Sequence, residues 1–139
     1  MNDFLVKETT NFNEIEKIIF DPEIYERIKI EGFELKELPR ENTTYIGGYL
    51  KDEIVAVMVY YRRKNYTTCH VHVLKAHRAR LAVKFGRESL LLRPCDVLYT
   101  NIPPKFPEVI KFAGIFGFKY VGRDKSGDGI YGVNYGFYR

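Results

Sequence analysis

Tyr66-Thr-Thr-Cys-His-Val-His-Val-Leu74 runs directly into Lys75-Ala-His-Arg-Ala-Arg-Leu-Ala-Val-Lys-Phe-Gly-Arg-Glu-Ser-Leu-Leu-Leu92. In the first stretch side chains alternate: Cys69, Val71 and Val73 face one way, Thr68, His70, His72 and Leu74 the other, the period of a strand. From Ala76 to Leu92 the period becomes helical, with Leu81, Phe85, Ser89 and Leu92 in one stripe and Ala82 and Gly86 beside it. Pro94 ends this helix. It is the longest expected in the chain. A single crossover of this kind makes the strands on either side of it parallel neighbours.

Upstream, Thr44–Leu50 and Ile54–Arg62 read as a hairpin around Lys51-Asp52-Glu53. In the second strand Ile54, Ala56, Met58 and Tyr60 alternate with Val55, Val57, Val59 and Tyr61, and both sets are apolar. Such a strand is central and covered on both faces. Before the hairpin come a strand, Phe4–Thr10, and a short helix capped by Asn13 with Ile15, Ile18 and Ile19 at helical spacing. A second short helix starts at Asp21-Pro22. Downstream, Val97–Thr100 is a short strand and Pro107–Phe116 a helix with Gly117 as its left-handed cap. Phe118–Arg123 and Ile130–Phe137 form a last hairpin. The expected fold is mixed α/β: a mostly antiparallel twisted sheet of about seven strands with one parallel pair, flanked by about four helices.

The 139 residues, 45% of them hydrophobic, suffice for one sizeable core. No repeat, low-complexity tract or linker interrupts them, so residues 1–139 are expected to form a single domain. No apolar run approaches the roughly 18 residues of a membrane span. The start, Met1-Asn2-Asp3-Phe4, lacks the pattern of a secretory signal. Cys69 and Cys95 are too few for a disulfide framework and match no zinc spacing, which makes the cytoplasm the default location.

The formal net charge of +4 conceals a segregation. Residues 1–61 hold seven basic and thirteen acidic side chains, a balance of −6. Residues 62–87 hold eight basic ones (Arg62, Arg63, Lys64, Lys75, Arg78, Arg80, Lys84 and Arg87) and no acid. A window this one-sided points to an anion: a phosphate-bearing cofactor, a nucleic acid or an acidic partner. The alternative is a solvated face neutralised by the acidic N-terminal third.

The element order, with Asn101 after the short strand and Phe112–Phe118 (Phe-Ala-Gly-Ile-Phe-Gly-Phe) near the end, resembles the GNAT superfamily of acyl-CoA-dependent N-acetyltransferases from Phe4 to Phe137. In size and in its eroded motifs the chain also looks like short GNAT-like proteins of tailed-phage heads and virions. The GNAT resemblance implies acetyl-CoA as cofactor, bound by Val73, Arg78, Ala79, Arg80, Leu81, Ala82, Val83 and Asn101. In that family the turn before the long helix cradles the CoA pyrophosphate on backbone N–H groups, as helix N-termini do generally. Arg78 matches the family pattern, whereas Leu81 and Val83 stand where it has small residues. The tyrosine that many members use to protonate the leaving thiolate is replaced by Ala113, leaving Tyr99 or Tyr120 to substitute.

An ammonium acceptor must lose a proton before it attacks a thioester. His70 and His72 share the strand face that would line the acceptor cleft, with Glu53 as a weaker candidate base. The catalytic set is therefore His70, His72 and Tyr120, with no metal implied. Three functions remain open. The first is acyl transfer to an amine, on a small molecule or a protein. The second is a catalytically silent binding or assembly protein, with phage structural proteins as partners. There, Tyr131, Tyr135 and Tyr138 amid glycines form a docking edge, a core or a homodimer contact. Nucleic-acid binding through the basic window ranks last, because the total charge is low and no recognised motif is present.

Overall fold

The computed structural model describes residues 3–28 and 37–138. Its elements follow the expected order: β1 (Phe4–Glu8), α1 (Phe12–Ile19), α2 (Pro22–Ile28), β2 (Thr43–Leu50), β3 (Glu53–Arg62), β4 (Thr67–Val73), α3 (Lys75–Leu91), β5 (Val97–Ile102), α4 (Pro107–Ile115), β6 (Lys119–Arg123) and β7 (Gly129–Asn134). A 3-10 turn, Tyr135–Tyr138, follows. The seven strands form one sheet in the order β1-β2-β3-β4-β5-β7-β6. Every pairing is antiparallel except β4 with β5. Among the described residues no helix is long and apolar enough to cross a membrane.

Two cores lie on opposite faces of the sheet, and the alternation of β3 and β4 divides them. On one face Met58, Tyr60, Cys69 and Val73 pack under α3 and α4 with Phe85, Leu90 and Ala113. On the other, Val57 and Ile54 meet Ile15, Ile18 and Ile24 of α1 and α2. The Tyr60 hydroxyl donates to the Ser89 carbonyl at 2.9 Å, which ties β3 to α3 through a group that burial would otherwise penalise. The β2–β3 turn is narrower than expected: Lys51 and Asp52, at φ 51° and 69°, make it alone, as a two-residue hairpin turn requires. After α4, Gly117 takes φ 93°, and the Phe118 N–H reaches back to the Ala113 carbonyl at 3.3 Å. That is the expected glycine cap.

Several boundaries differ from the sequence reading. Asn11, not Asn13, caps α1, because its side chain accepts from the Glu14 N–H at 3.2 Å while Asn13 sits inside the first turn. In α3 the buried stripe ends on Leu90 and Leu92 is 46% exposed, since the helix stops at Leu91. The last strand stops at Asn134, whose side chain accepts from the Gly136 N–H at 2.9 Å and turns the chain away. Two tyrosines of the last hairpin take the core role: β7 lies between β5 and β6, Tyr131 packs against the core, and the Tyr135 hydroxyl donates to the Phe116 carbonyl at 2.7 Å. The Tyr138 side chain lies outside the described residues.

Candidate functional site

β4 and β5 are the parallel pair, and their register consists of one pair of residues, Thr68 and Tyr99. Beyond it the strands part. The Leu74 N–H donates to Val55 of β3 at 3.0 Å, and backbone groups alternate in direction along a strand. His72 and His70 therefore turn their backbone toward β3, while Val71 and Val73 turn theirs toward β5. The Val73 carbonyl is taken there by the Arg78 guanidinium, at 2.9 and 3.3 Å. The Val71 N–H is turned the same way, toward the β5 side.

The gap opens into a cleft. An inner chamber of about 160 Å³ lies under α4, floored by Val71 and Gly86 and walled by Val109, Phe112 and Phe116. Gly86 is required there, since a Cβ on it would stand 2.6 Å from the Phe116 ring. An outer chamber of about 410 Å³ shares Val71, Val109 and Phe112 and extends to Ala82 and Val83 of α3. On the opposite face, a groove of about 500 Å³ runs past Tyr66, Thr68, Asn101 and Asp124. His70 and His72 line both this groove and the inner chamber.

Burial pushes the His70 pKa down to about 4, with the nearby Arg63 charge adding to the effect. It pushes His72 to about 3, with His70 and Arg78 contributing. Both imidazoles are uncharged at neutral pH. They can accept or donate hydrogen bonds, but with conjugate acids this strong neither matches the near-neutral pKa that suits a general base.

The start of α3 differs from a phosphate cradle. The helix begins at Lys75, one residue after β4, with Leu74 as an N-cap that supplies no side-chain bond. The Arg78–Val83 segment thus lies within the first turns of the helix. The N–H groups of Ala79 to Val83 are spent on carbonyls four residues back, and only the first four donors of a helix are free. Of those, the Leu74 and His77 N–H groups are held by the Val55 and Leu74 carbonyls, at 3.0 and 2.9 Å, which leaves those of Lys75 and Ala76. Arg78 itself is clasped by Glu23 of α2 through two bonds, at 2.6 and 3.0 Å. The Arg78 hydrogen bonds hold the Glu23 carboxyl below its ordinary value of 4.5.

Solved structures share this architecture along almost the whole chain. An N-acetyltransferase from Staphylococcus aureus Mu50 superposes with a TM-score of 0.72 at 12% identity, over 96% of this chain and 99% of that one. An acetyltransferase from Thermus thermophilus gives 0.72 at 16% identity, with the same coverage. The GNAT domain of S. lividans PAT gives 0.68 at 14% identity, over 93% of this chain and 89% of the domain. The fold is the GNAT fold. No protein-family model matches the chain, and no curated protein matches it in sequence.

On the GNAT scaffold the expected site residues separate. His70, His72, Val73, Arg78, Ala82, Val83 and Asn101 line the cleft or its two openings. Leu81 is instead packed against the core, and Ala79 and Arg80 are exposed on the outer side of α3. Asn101 does not follow the short strand: it lies within β5, opposite Ile130. Its side-chain amide donates to Asp124 at 2.6 Å, so it anchors the β6–β7 loop. Tyr120 stands on edge strand β6, 56% exposed, its ring against Tyr131, and is not among the residues that line the cleft. Tyr99 pairs its ring with Tyr66 beside the groove. Glu53 is exposed at the far end of β3. The sequence reading missed the Val71 N–H, the Val109 and Phe112 walls, and Glu23 as the partner of Arg78. Only Glu23 had a signal, the acidic excess of the first 61 residues.

Proposed function

We propose that the chain is an N-acyltransferase that moves an acyl group from a thioester on a pantetheine arm to an amine. The observation that carries this reading is that an apolar chamber on one face of β4 and a groove on the other, with Thr68, Asn101 and Asp124 in its lining, share His70 and His72, and that Val71 lines the chamber. An acyl chain and arm suit the walls formed by Val109, Phe112 and Phe116. A thioester carbonyl beside Val71 would receive a hydrogen bond that strengthens as negative charge develops on its oxygen. The amine would approach through the groove. There the neutral His70 and His72 rings can accept N–H bonds and orient the nitrogen. The amine must shed its proton before it attacks, and the two rings line both the chamber and the groove through which it would come.

Acetyl-CoA fits only in part. Its arm and thioester have a chamber, whereas its pyrophosphate would meet only the Lys75 and Ala76 N–H groups at the start of α3, so no step is assigned to the nucleotide. Thermal unfolding with acetyl-CoA and with acetyl-pantetheine at millimolar concentration tests the reading. A ligand at about 100 times its Kd adds about 2.7 kcal/mol, and both compounds should raise Tm by similar amounts. No rise with either would overturn the proposal. The Glu23–Arg78 clasp would then favour the second reading, a GNAT-fold binding or assembly protein without chemistry.

A further inference from the structure

The groove on the α1–α2 face of the sheet carries opposite charges at two levels, which the strand register places. Residues facing each other across an antiparallel pair share a face, so Val59 with His70 and Tyr61 with Thr68 lie on the groove side. Arg63, two residues past Tyr61, folds back with its guanidinium 4.8 Å from the centre of the Tyr61 ring. It lines the groove and has no carboxylate partner among the described residues. Thr68 and His70 are two residues apart on β4, which sets the guanidinium about 7 Å along the groove from the level of His70. On β5, Tyr99 pairs with Thr68, and Asn101, two residues on, comes level with His70. There the Asn101 amide holds the Asp124 carboxylate at 2.6 Å, and donors from Ser126 and the Asp128 N–H help keep it ionised. The Asp128 side chain lines the same groove. The other groove cation, Arg27, is already taken by Glu23 and Glu108, at 3.1 and 3.8 Å.

We infer that the amine acceptor carries an anionic group, a phosphate or a carboxylate, about 7 Å from its nitrogen, which Arg63 receives. The inference rests on the proposed acyl-transfer reading and names the class of its acceptor. A guanidinium presents paired donors to two oxygens of such a group, while the Asp124 and Asp128 carboxylates draw the ammonium end toward His70. A chain of about four to six atoms between nitrogen and anion spans the distance. A diamine would instead bring its second cation against Arg63, where like charges repel. In the transfer the ammonium first gives one proton to water. The nitrogen then attacks the thioester carbonyl carbon, a C–N bond forms as the C–S bond breaks, and the second proton leaves on the sulfur as the thiol.

Calorimetry on the whole chain tests this with amines of similar length: an ω-aminobutyl phosphate, an ω-aminohexanoate, hexylamine and a diaminopentane. An anionic amine should bind about tenfold more tightly than hexylamine, and the diamine more weakly than either. Whichever of the phosphate and the carboxylate binds more tightly identifies the group. Arg63→Gln should erase the tenfold advantage, and with acetyl-pantetheine as donor it should raise the KM of the anionic amine by about the same factor. Arg62 pairs with Thr67 and so turns to the other face, where it reaches Asn42; Arg62→Gln should change the affinity by less than about twofold. Four results would overturn the inference yet leave acyl transfer standing: hexylamine or the diamine binding as tightly as the anionic amines, none of the amines binding, unaltered affinity in Arg63→Gln, or an equal loss in Arg62→Gln. No thermal response of the unaltered chain to acetyl-pantetheine would remove the acyl-transfer reading, and the inference with it.

Discussion

Arg78→Ala distinguishes a structural clasp from a phosphate ligand. The guanidinium makes two charge-assisted bonds to Glu23 and two contacts to the Val73 carbonyl, with both partners of the ion pair 31% exposed. Hydrogen bonds to charged groups contribute about 1.5–3 kcal/mol when buried; a solvent-exposed pair contributes about 0–1. At this exposure the loss should be about 2 kcal/mol, since Glu23 keeps its contact with Arg27 at 3.1 Å. For a chain of this length that lowers Tm by about 6 °C. Glu23→Gln alone should cost about 1 kcal/mol, and the double-mutant cycle should show a coupling of about 1 kcal/mol. Because the folded Glu23 carboxyl lies below its ordinary 4.5, the clasp contributes fully above that value. It is lost as pH falls through the depressed one. Urea unfolding of the four variants at pH 7 and pH 3 measures all of this. An unchanged Tm in Arg78→Ala, together with weaker acetyl-CoA binding, would refute the clasp and restore the phosphate role.

Because the folded pKa values of His70 and His72 are depressed to about 4 and about 3, stability should fall as pH drops from about 6.5, where unfolded histidine takes up protons, toward those values. Replacing both with Gln should flatten that part of the curve, as acid titration of the two proteins would show. Gly86→Ala should displace the Phe116 ring, 2.6 Å from the new Cβ; the expected cost is about 1–3 kcal/mol, with a weaker thermal shift from acetyl-pantetheine. Leu81→Gly, which the family pattern would suggest as a restoration, should lower stability by about 2 kcal/mol without improving acetyl-CoA affinity in calorimetry, because residue 81 lies inside a regular helix.

The fold was legible wherever local pattern and global burial agree. The switch from alternation in Thr67–Val73 to helical spacing after Lys75 is visible in the residues, and so are the two apolar faces of β3 and the stop at Gly117. Errors arose where the deciding contact is distant. Thr100-Asn101-Ile102 precedes two prolines and reads as the end of a strand, yet β5 continues because Asn101 pairs with Ile130 and Ile102 is buried in the core. Asn11 and Asn13 are equally good caps by type, and only the end of β1 chooses between them. The cleft had the weakest signal. It arises from the parting of β4 and β5 and from a backbone N–H, and backbone direction has no residue signature. The Glu23–Arg78 bond joins residues 55 positions apart, so the sequence shows the excess charges without their pairing.

That pairing also revises what the basic window implies. Its eight cations were grouped by sequence position, but the fold sends them to different tasks. Arg78 turns inward to α2, Arg62 reaches Asn42 at 3.4 Å, Lys84 pairs with Glu88 at 3.6 Å, and Arg63 lies over the Tyr61 ring. Arg80 and Arg87 remain on the outer surface of α3, seven residues apart, a span of about 10 Å along a helix. A single phosphate at a helix N-terminus is held by converging backbone donors within one turn. Two guanidinium groups that far apart on a convex surface converge on no single small anion. They are dispersed surface charges, so the segregation counted along the sequence does not by itself mark an anion site.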